Sequence, residues 1–397
     1  MSIYLDYQAA KPVDVRVVSE MTIYFNNKFA NPSSLHCDGD DATDALVESR
    51  QKIADFINAP NASDIIFTSS ATESNNLALI GSAMRNKKKG NHIIISEIEH
   101  ISILNIAKYL EREGFKVSRV PVDQFGIIKF DKLEKLITDQ TILISISTAS
   151  NEVGSLQPIK EISEIASKKN VLFHTDAVAS EGVIPIDVQK VPIDMITLSS
   201  NDIYGPRGVG ALYLKKGVRV NPIIIGGGQE RGLRSGSENV PGIVGFAKAA
   251  EIMRAEIKTE AIRLKSMRDK LIQQVLSKVP NSYLNGHPEK RLPNNAHFRF
   301  DYIEGESLIL SLKDQKVAAA TGSACSSKTL EPSHTLISMG LLHEEAHGSL
   351  LFTLGRFTKE TDVDKAIEVL PDIVKRLRLL SPLTPPDLIK KYNEVNE

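Results

Sequence analysis

Apolar positions in the first two-thirds of the chain gather into short β-branched runs, separated by longer stretches where they recur every three or four residues. The runs predict strands at Ile65–Thr68, Ile93–Ser96, Val117–Val120, Ile142–Ile146, Val171–His174, Met195–Leu198 and Val209–Leu214. Between several of them, Glu73–Arg85, Ile101–Glu111 and Ile159–Lys168 carry the helical period. Such alternation predicts βαβ units and a mostly parallel sheet with helices on both faces. The runs are nearly all apolar, which suits strands covered on both sides.

The pattern changes after Pro241. A single helical period runs to about Val279 and stops at Pro280, a length that suits a bridge between domains. Beyond it, strands at Ser282–Asn285, Ala296–Phe300 and Leu350–Leu354 mix with helices at Glu304–Ser311 and Asp362–Leu379, as in a smaller α+β domain. The expected division is a large domain over residues 13–258 and a small one made of 1–12 and 259–397. No internal repeat or low-complexity segment interrupts it, and the residues after Pro385-Pro386 are expected to be loosely held.

Composition narrows the function classes. At 397 residues the chain can bury a large core, and its 42% hydrophobic and 24% charged residues are ordinary for a soluble globular protein. A net charge of −1 provides no field to draw nucleic acid or an acidic membrane. Met1-Ser2-Ile3-Tyr4 begins no secretory signal, and no apolar run approaches the roughly 18 residues that span a bilayer. Cys37 and Cys325 are the only cysteines, too few for a disulfide framework and without metal-ligand spacing. A reducing cytoplasmic setting fits all of this.

Several local patterns can carry chemistry. Thr68-Ser-Ser-Ala71-Thr72-Glu73 reads as strand, polar turn and helix start: either a plain N-cap or an anion seat on a helix dipole. Val171-Leu-Phe-His-Thr-Asp176 is an apolar strand ending in a carboxylate, which is either a helix cap or a ligand group at a parallel-sheet edge. Ala320-Thr-Gly-Ser-Ala-Cys325-Ser-Ser surrounds a thiol with small residues, unlike a structural core cysteine. Arg356 is either a surface salt-bridge former or a planar fork for a carboxylate. Cys37 follows His36, but adjacent residues rarely face each other, so no dyad is expected there.

These segments together resemble the NifS/IscS-type cysteine desulfurases, and the likeness runs from Tyr4-Leu5-Asp6-Tyr7 to the final helix. The resemblance implies a pyridoxal phosphate (PLP)-dependent transferase fold of the aspartate-aminotransferase-like kind. That fold has a mostly parallel seven-stranded sheet, a smaller α+β domain and a homodimer. It places the phosphate on Ala71, Thr72, Ser199 and Ser237 of the second subunit, with Asn201 where the family has a histidine. It puts Asp176 at the ring nitrogen, Asn151 at the ring hydroxyl, His100 stacked on the ring face, and Asn31 and Arg356 on the substrate carboxylate. Cys325 would take sulfur from L-cysteine as a persulfide and pass it to an IscU-type scaffold, in a long loop of the NifS/IscS kind. The resemblance implies no metal ligand set apart from Cys325, which could ligate iron–sulfur together with a partner.

One position departs decisively. In Ser199-Ser200-Asn201-Asp202-Ile203-Tyr204-Gly205-Pro206 the family's His-Lys pair reads Asn201-Asp202, so the Schiff-base lysine is an aspartate. Ala179 also replaces a family glutamine that reaches the ring oxygen. Asp202 adds negative charge beside Asp176 and a phosphate. Like charges about 4 Å apart cost roughly 4 kcal/mol at an effective dielectric near 20, so Asp202 must be screened, displaced or protonated. Three readings follow: a weak or conditional desulfurase with non-covalent PLP and Asp202 as a poor base; a non-catalytic sulfur relay using Cys325; or another enzyme using the reshaped pocket. The Cys325 motif disfavours the third.

Overall fold

The computed structural model describes residues 2–322 and 332–394. In chain order, β1 (Ile3–Tyr4) leads to α1 (Val15–Asn26) and α2 (Cys37–Phe56). The alternating region follows: β2 (Ile65–Thr68), α3 (Ala71–Asn86), β3 (His92–Ser96), α4 (Ile101–Arg112), β4 (Lys116–Val120), α5 (Phe130–Leu136) and β5 (Thr141–Ser145). It continues through α6 (Ile159–Lys168), β6 (Leu172–Asp176), β7 (Met195–Ser199) and β8 (Gly210–Leu214). Then come α7 (Val240–Lys278), β9 (Ser282–Leu284), β10 (Asn295–Phe300), α8 (Gly305–Asp314), β11 (Val317–Ala318), α9 (His334–Ser338), α10 (His343–His347), β12 (Ser349–Thr353), α11 (Glu360–Leu380) and α12 (Pro386–Glu394).

Seven strands form one sheet in the order β2-β8-β7-β6-β5-β3-β4. Only β8 runs against its neighbours β2 and β7, so the other six all point the same way. Successive residues of each strand enter different cores: Ile65 and Phe67 face one and Ile66 the other, as do Ile94 against Ile93 and Ile95. Both faces are therefore covered, which is why the runs read as continuously apolar instead of alternating. Fully burying each such side chain stabilises by roughly 1.5–3 kcal/mol.

The long helix α7 joins two cores. Val240 to Ile257 pack with the large sheet, whereas Leu264 to Val275 pack with β10, β12 and α11. A three-stranded antiparallel sheet, β12-β10-β9, lies in this second core. β1 crosses back to pair with β11, so the N-terminal strand belongs to the C-terminal body and Leu5 is buried there. Among the described residues no helix is long and apolar enough to cross a membrane.

The tail corrects an expectation. Pro386–Glu394 form α12, and Leu388 is buried. The cause is Arg378, fully buried in α11, whose guanidinium donates to the carbonyls of Pro280 (2.6 Å), Asn281 (2.8 Å) and Asp301 (3.1 Å) and to Tyr392 Oη (2.9 Å). A buried cation with that many partners pins α12 to the small domain.

Candidate cofactor and substrate site

Because the parallel strands share a direction, their C-terminal ends and the following loops collect at one edge, where α/β folds bind ligands. Asp176 closes β6 there and is buried. Its Oδ2 accepts from Asn75 Nδ2 at 2.8 Å and its Oδ1 from the Val178 N–H at 3.0 Å. Asn75 Nδ2 also reaches Ser102 Oγ at 3.1 Å, which in turn lies 2.8 Å from His100 Nδ1. Asp176 and His100 are thus the two ends of one hydrogen-bonded chain. His100 is also the N-cap of α4, its Nδ1 accepting from the Ser102 N–H at 3.2 Å. Burial raises the Asp176 carboxyl above its usual range, and the nearby Asp202 adds to the shift. Asn151 lies in the turn closed by the Ser150 N–H to Ser155 O bond of 3.0 Å.

Beside His100, Glu99 is buried and accepts from Ser147 N–H (3.0 Å) and Ser147 Oγ. Burial dominates those hydrogen bonds and moves its carboxyl from 4.5 up to about 8. Its folded pKa therefore exceeds the unfolded one. The stability it contributes is fully present below about pH 4.5 and is lost as pH rises through about 8. Glu99→Gln is expected to flatten the fall in melting temperature between pH 5 and 8; an unchanged slope would assign that fall to other groups.

At the opposite end of the pocket, Ser70 caps α3 by accepting from the Glu73 N–H at 3.3 Å, with Ala71 and Thr72 in the first turn. Thr72 is exposed there, and the positive end of the helix dipole faces outward. Gly210 passes so close that a Cβ on it would meet Ala71 N at 3.0 Å, which keeps this turn against β8. Ser199, the last residue of β7, donates from Oγ to Asn201 Oδ1 at 3.0 Å. Ser237 is exposed.

Asp202 stands in a short turn, Asn201–Ile203, and is 7% exposed. Its Oδ2 accepts from Asn201 Nδ2 at 2.8 Å. Its Oδ1 lies 3.4 Å from Lys11 Nζ, which also donates to the Asp202 carbonyl at 2.7 Å. Of the three outcomes open to Asp202, the structure shows screening, by a lysine that sequence reading did not single out. Glu181 is a second group missed. It is fully buried, with Oε1 accepting from the Ser199 N–H at 2.9 Å and Oε2 without a partner. Burial, then Asp202, push its carboxyl well above the usual range.

Behind Asp202 is a cavity lined by Lys11, Ala179, Gly182, Tyr204, Asn294 and Arg356. The Arg356 guanidinium lies 4.6 Å from the Tyr204 ring centroid, and its backbone N–H donates to Tyr204 Oη at 2.7 Å. The fork is engaged: Nη1 meets Asp14 Oδ2 at 2.5 Å, and Nη2 lies 2.9 Å from Glu256 Oε2, an ion pair whose angles fall short of a hydrogen bond. Asn31 is exposed, does not line this cavity, and turns its Oδ1 onto the Ser33 N–H at 2.8 Å. Cys325 lies outside the described residues. Cys37 is exposed, and His36 Nδ1 accepts from the Gly39 N–H at 3.3 Å, where it caps α2. Among the described residues no cluster could hold a metal.

The fit to PLP is thus partial. A buried carboxyl at a strand end suits a pyridine nitrogen, an open helix N-terminus suits a phosphate, and no amine extends from position 202. The seven-stranded sheet with a small antiparallel sheet beyond one long helix is the aspartate-aminotransferase-like fold of PLP-dependent transferases. Residues 3–366 match the aminotransferase class-V family. Over 380 residues the chain is 58% identical to the cysteine desulfurase IscS 1 of Archaeoglobus fulgidus, covering 96% of this chain and 99% of that one. Among solved structures, a NifS-like protein superimposes with a TM-score of 0.89 at 37% identity, over 95% of this chain and 100% of that one. SspA in complex with cysteine does so with a TM-score of 0.81 at 32% identity, over 90% and 100% of the two chains. The chain belongs to the class V aminotransferases, among the NifS/IscS-type cysteine desulfurases. PLP is the cofactor expected of that family.

Proposed function

We propose that this protein mobilises sulfur for iron–sulfur cluster assembly as a desulfurase of low or conditional activity, with Cys325 as the sulfur carrier. The observation that carries the reading is Asp202: it is buried and held by Asn201 and Lys11, at the position where the sequence resemblance puts the family's cofactor lysine. PLP, when bound, supplies an electron sink for cleavage next to the amino-acid Cα. Thr72, Ser199 and Asn201 would hold its phosphate, joined by the second subunit's Ser237. Asp176 would pair with the ring nitrogen, Asn151 would meet the ring hydroxyl and His100 would cover the ring face. Arg356, released from Asp14, would grip the carboxylate of L-cysteine, with Asn31 as a second contact.

The chemistry balances without an outside oxidant. The Cys325 thiolate bonds to the substrate sulfur, the Cβ–S bond breaks, and its electron pair is protonated at carbon to leave alanine and a Cys325 persulfide. A scaffold protein of the IscU type would then accept the sulfur. The homodimer needed to bring Ser237 across is supported by exposed apolar residues near the N-terminus, including Val15, Phe25, Phe29 and Leu35. Two cysteines without a disulfide framework suit a reducing, cytoplasmic setting.

A second reading has its own support. The ion pair with Lys11 turns Asp202 away from acting as a base, which favours an assembly partner that takes sulfide made elsewhere into a cluster for which the Cys325 thiolate is a shared iron ligand, no persulfide being formed from that sulfide. One assay separates the two: alanine and sulfide formed from L-cysteine, with and without added PLP. The desulfurase reading expects slow, PLP-dependent alanine formation and no PLP fixed to protein by borohydride. Absence of alanine at any PLP concentration leaves the assembly partner, and turnover at an ordinary desulfurase rate sinks both.

A further inference from the structure

Lys11 belongs to the segment before α1, in Ala10-Lys11-Pro12, far in sequence from every other pocket residue. Its side chain is 11% exposed and the Asp202 side chain 10%, so neither charge is well hydrated. Nζ is fixed by two contacts to one residue, the Asp202 carbonyl at 2.7 Å and Oδ1 at 3.4 Å, and sits 6.0 Å from the Tyr204 ring centroid. Ala179 lines the same cavity with a side chain too short to fill it, and a Cβ on Gly182 would meet the Asp202 carbonyl oxygen at 2.8 Å. Lysine is thus accommodated at position 11 by the small residues around it.

Three carboxyl groups, Asp176, Glu181 and Asp202, are buried around this point; Lys11 is ion-paired to Asp202 and its charge also acts on Glu181, while His100 acts on Asp176. An anionic ligand entering such a pocket meets repulsion unless a positive charge remains. We propose that Lys11 is the counter-ion that keeps this pocket open to an anionic ligand: it supplies from the N-terminal segment the positive charge that position 202 lacks, and it occupies the space into which a lysine at 202 would project. The proposal rests on the reading of the pocket as a PLP site, and it makes Lys11 a positioning residue. Its consequence is reciprocal: Lys11 and Asp202 act as one unit, so neither can be changed alone without cost.

The test has two arms. Without cofactor, thermal melting of Lys11→Met, Asp202→Asn and the double variant forms a cycle. Lys11→Met is expected to lower the melting temperature by several degrees and the double variant to recover most of the loss. With PLP titrated by absorbance, Lys11→Met is expected to weaken binding about tenfold or more, Lys11→Arg to retain it, and Lys11→Met/Asp202→Asn to restore it. In the same arm, borohydride is expected to fix PLP to Lys11→Thr/Asp202→Lys but far less to Asp202→Lys alone, where two ammonium groups crowd one site. Additive melting shifts, wild-type PLP affinity in Lys11→Met, or PLP fixed on Lys11 itself would each overturn the proposal. If no variant binds PLP while the melting cycle stays coupled, the cofactor reading falls and the Lys11–Asp202 unit remains.

Discussion

Asp202→Lys, combined with Lys11→Thr, Asn201→His and Ala179→Gln, is expected to raise cysteine-dependent sulfide release about 10²–10⁴-fold over wild type. The magnitude is that of one positioned proton-transfer group, since a lysine at 202 would move protons at the substrate Cα. The companion changes have separate physical reasons. Lys11→Thr removes an ammonium that already touches Asp202 at 2.7 and 3.4 Å. Asn201→His breaks the 2.8 Å bond by which Asn201 holds the carboxylate at 202. Ala179→Gln refills the cavity behind that position and restores a donor toward the ring. Sulfide and alanine should rise together in the quadruple variant, and Asp202→Lys alone should gain less. A quadruple variant no faster than wild type would mean that lysine loss is not what limits this pocket.

The regular part of the fold could be read from hydrophobic spacing because it is dictated locally. Ile65–Thr68 and Ile159–Lys168 match observed elements end to end, and the other large-sheet strands shift by one or two residues. Those shifts come from polar side chains the pattern cannot weigh. In β5 and β6, for example, Ser145 Oγ meets His174 Nδ1 at 2.8 Å inside the sheet. α2 was not expected because its first turns are acidic and polar. It forms because Ala42, Ala45, Leu46 and Ile53 bury in the same core as Val244 and Ile257 of α7. α12 depends on Arg378 reaching Tyr392, a contact that no local window contains.

The pocket divides in the same way. Asp176 and Ser199 stand at strand ends, and Ala71-Thr72 opens a helix, so a periodicity argument places them at one edge of the sheet. Asn75, Ser102, Glu181 and Lys11 act through tertiary partners. The only sequence signals for the first three were polar residues beside apolar runs, and Lys11 carried none. The consequence for function is large. Sequence alone leaves Asp202 as an unpaired charge in need of some escape, whereas the structure shows it already paired. A carboxylate held by Lys11 and Asn201 is a settled arrangement of charges.

Cys325→Ser is expected to reduce sulfur transfer from L-cysteine to a scaffold protein to the unmediated background, and to reduce cluster formation on the scaffold likewise when iron and sulfide are supplied directly. A serine hydroxyl keeps the size of the side chain but can neither form a persulfide, which needs a sulfur nucleophile, nor replace a thiolate as a soft iron ligand. Of the described residues flanking this segment, His334 reaches the site: its Nε2 lies 3.2 Å from the carbonyl of Glu99, next to His100. Cys37→Ser is the internal control, because Cys37 starts α2 on the surface and its neighbour His36 is committed to capping. Transfer should survive that change fully. Both readings require Cys325, so the variant tests what they share: with L-cysteine it stops persulfide formation, and with iron and sulfide it removes the shared iron ligand. Transfer and cluster formation both undiminished in Cys325→Ser would remove the thiol from the mechanism and with it the assignment to sulfur delivery.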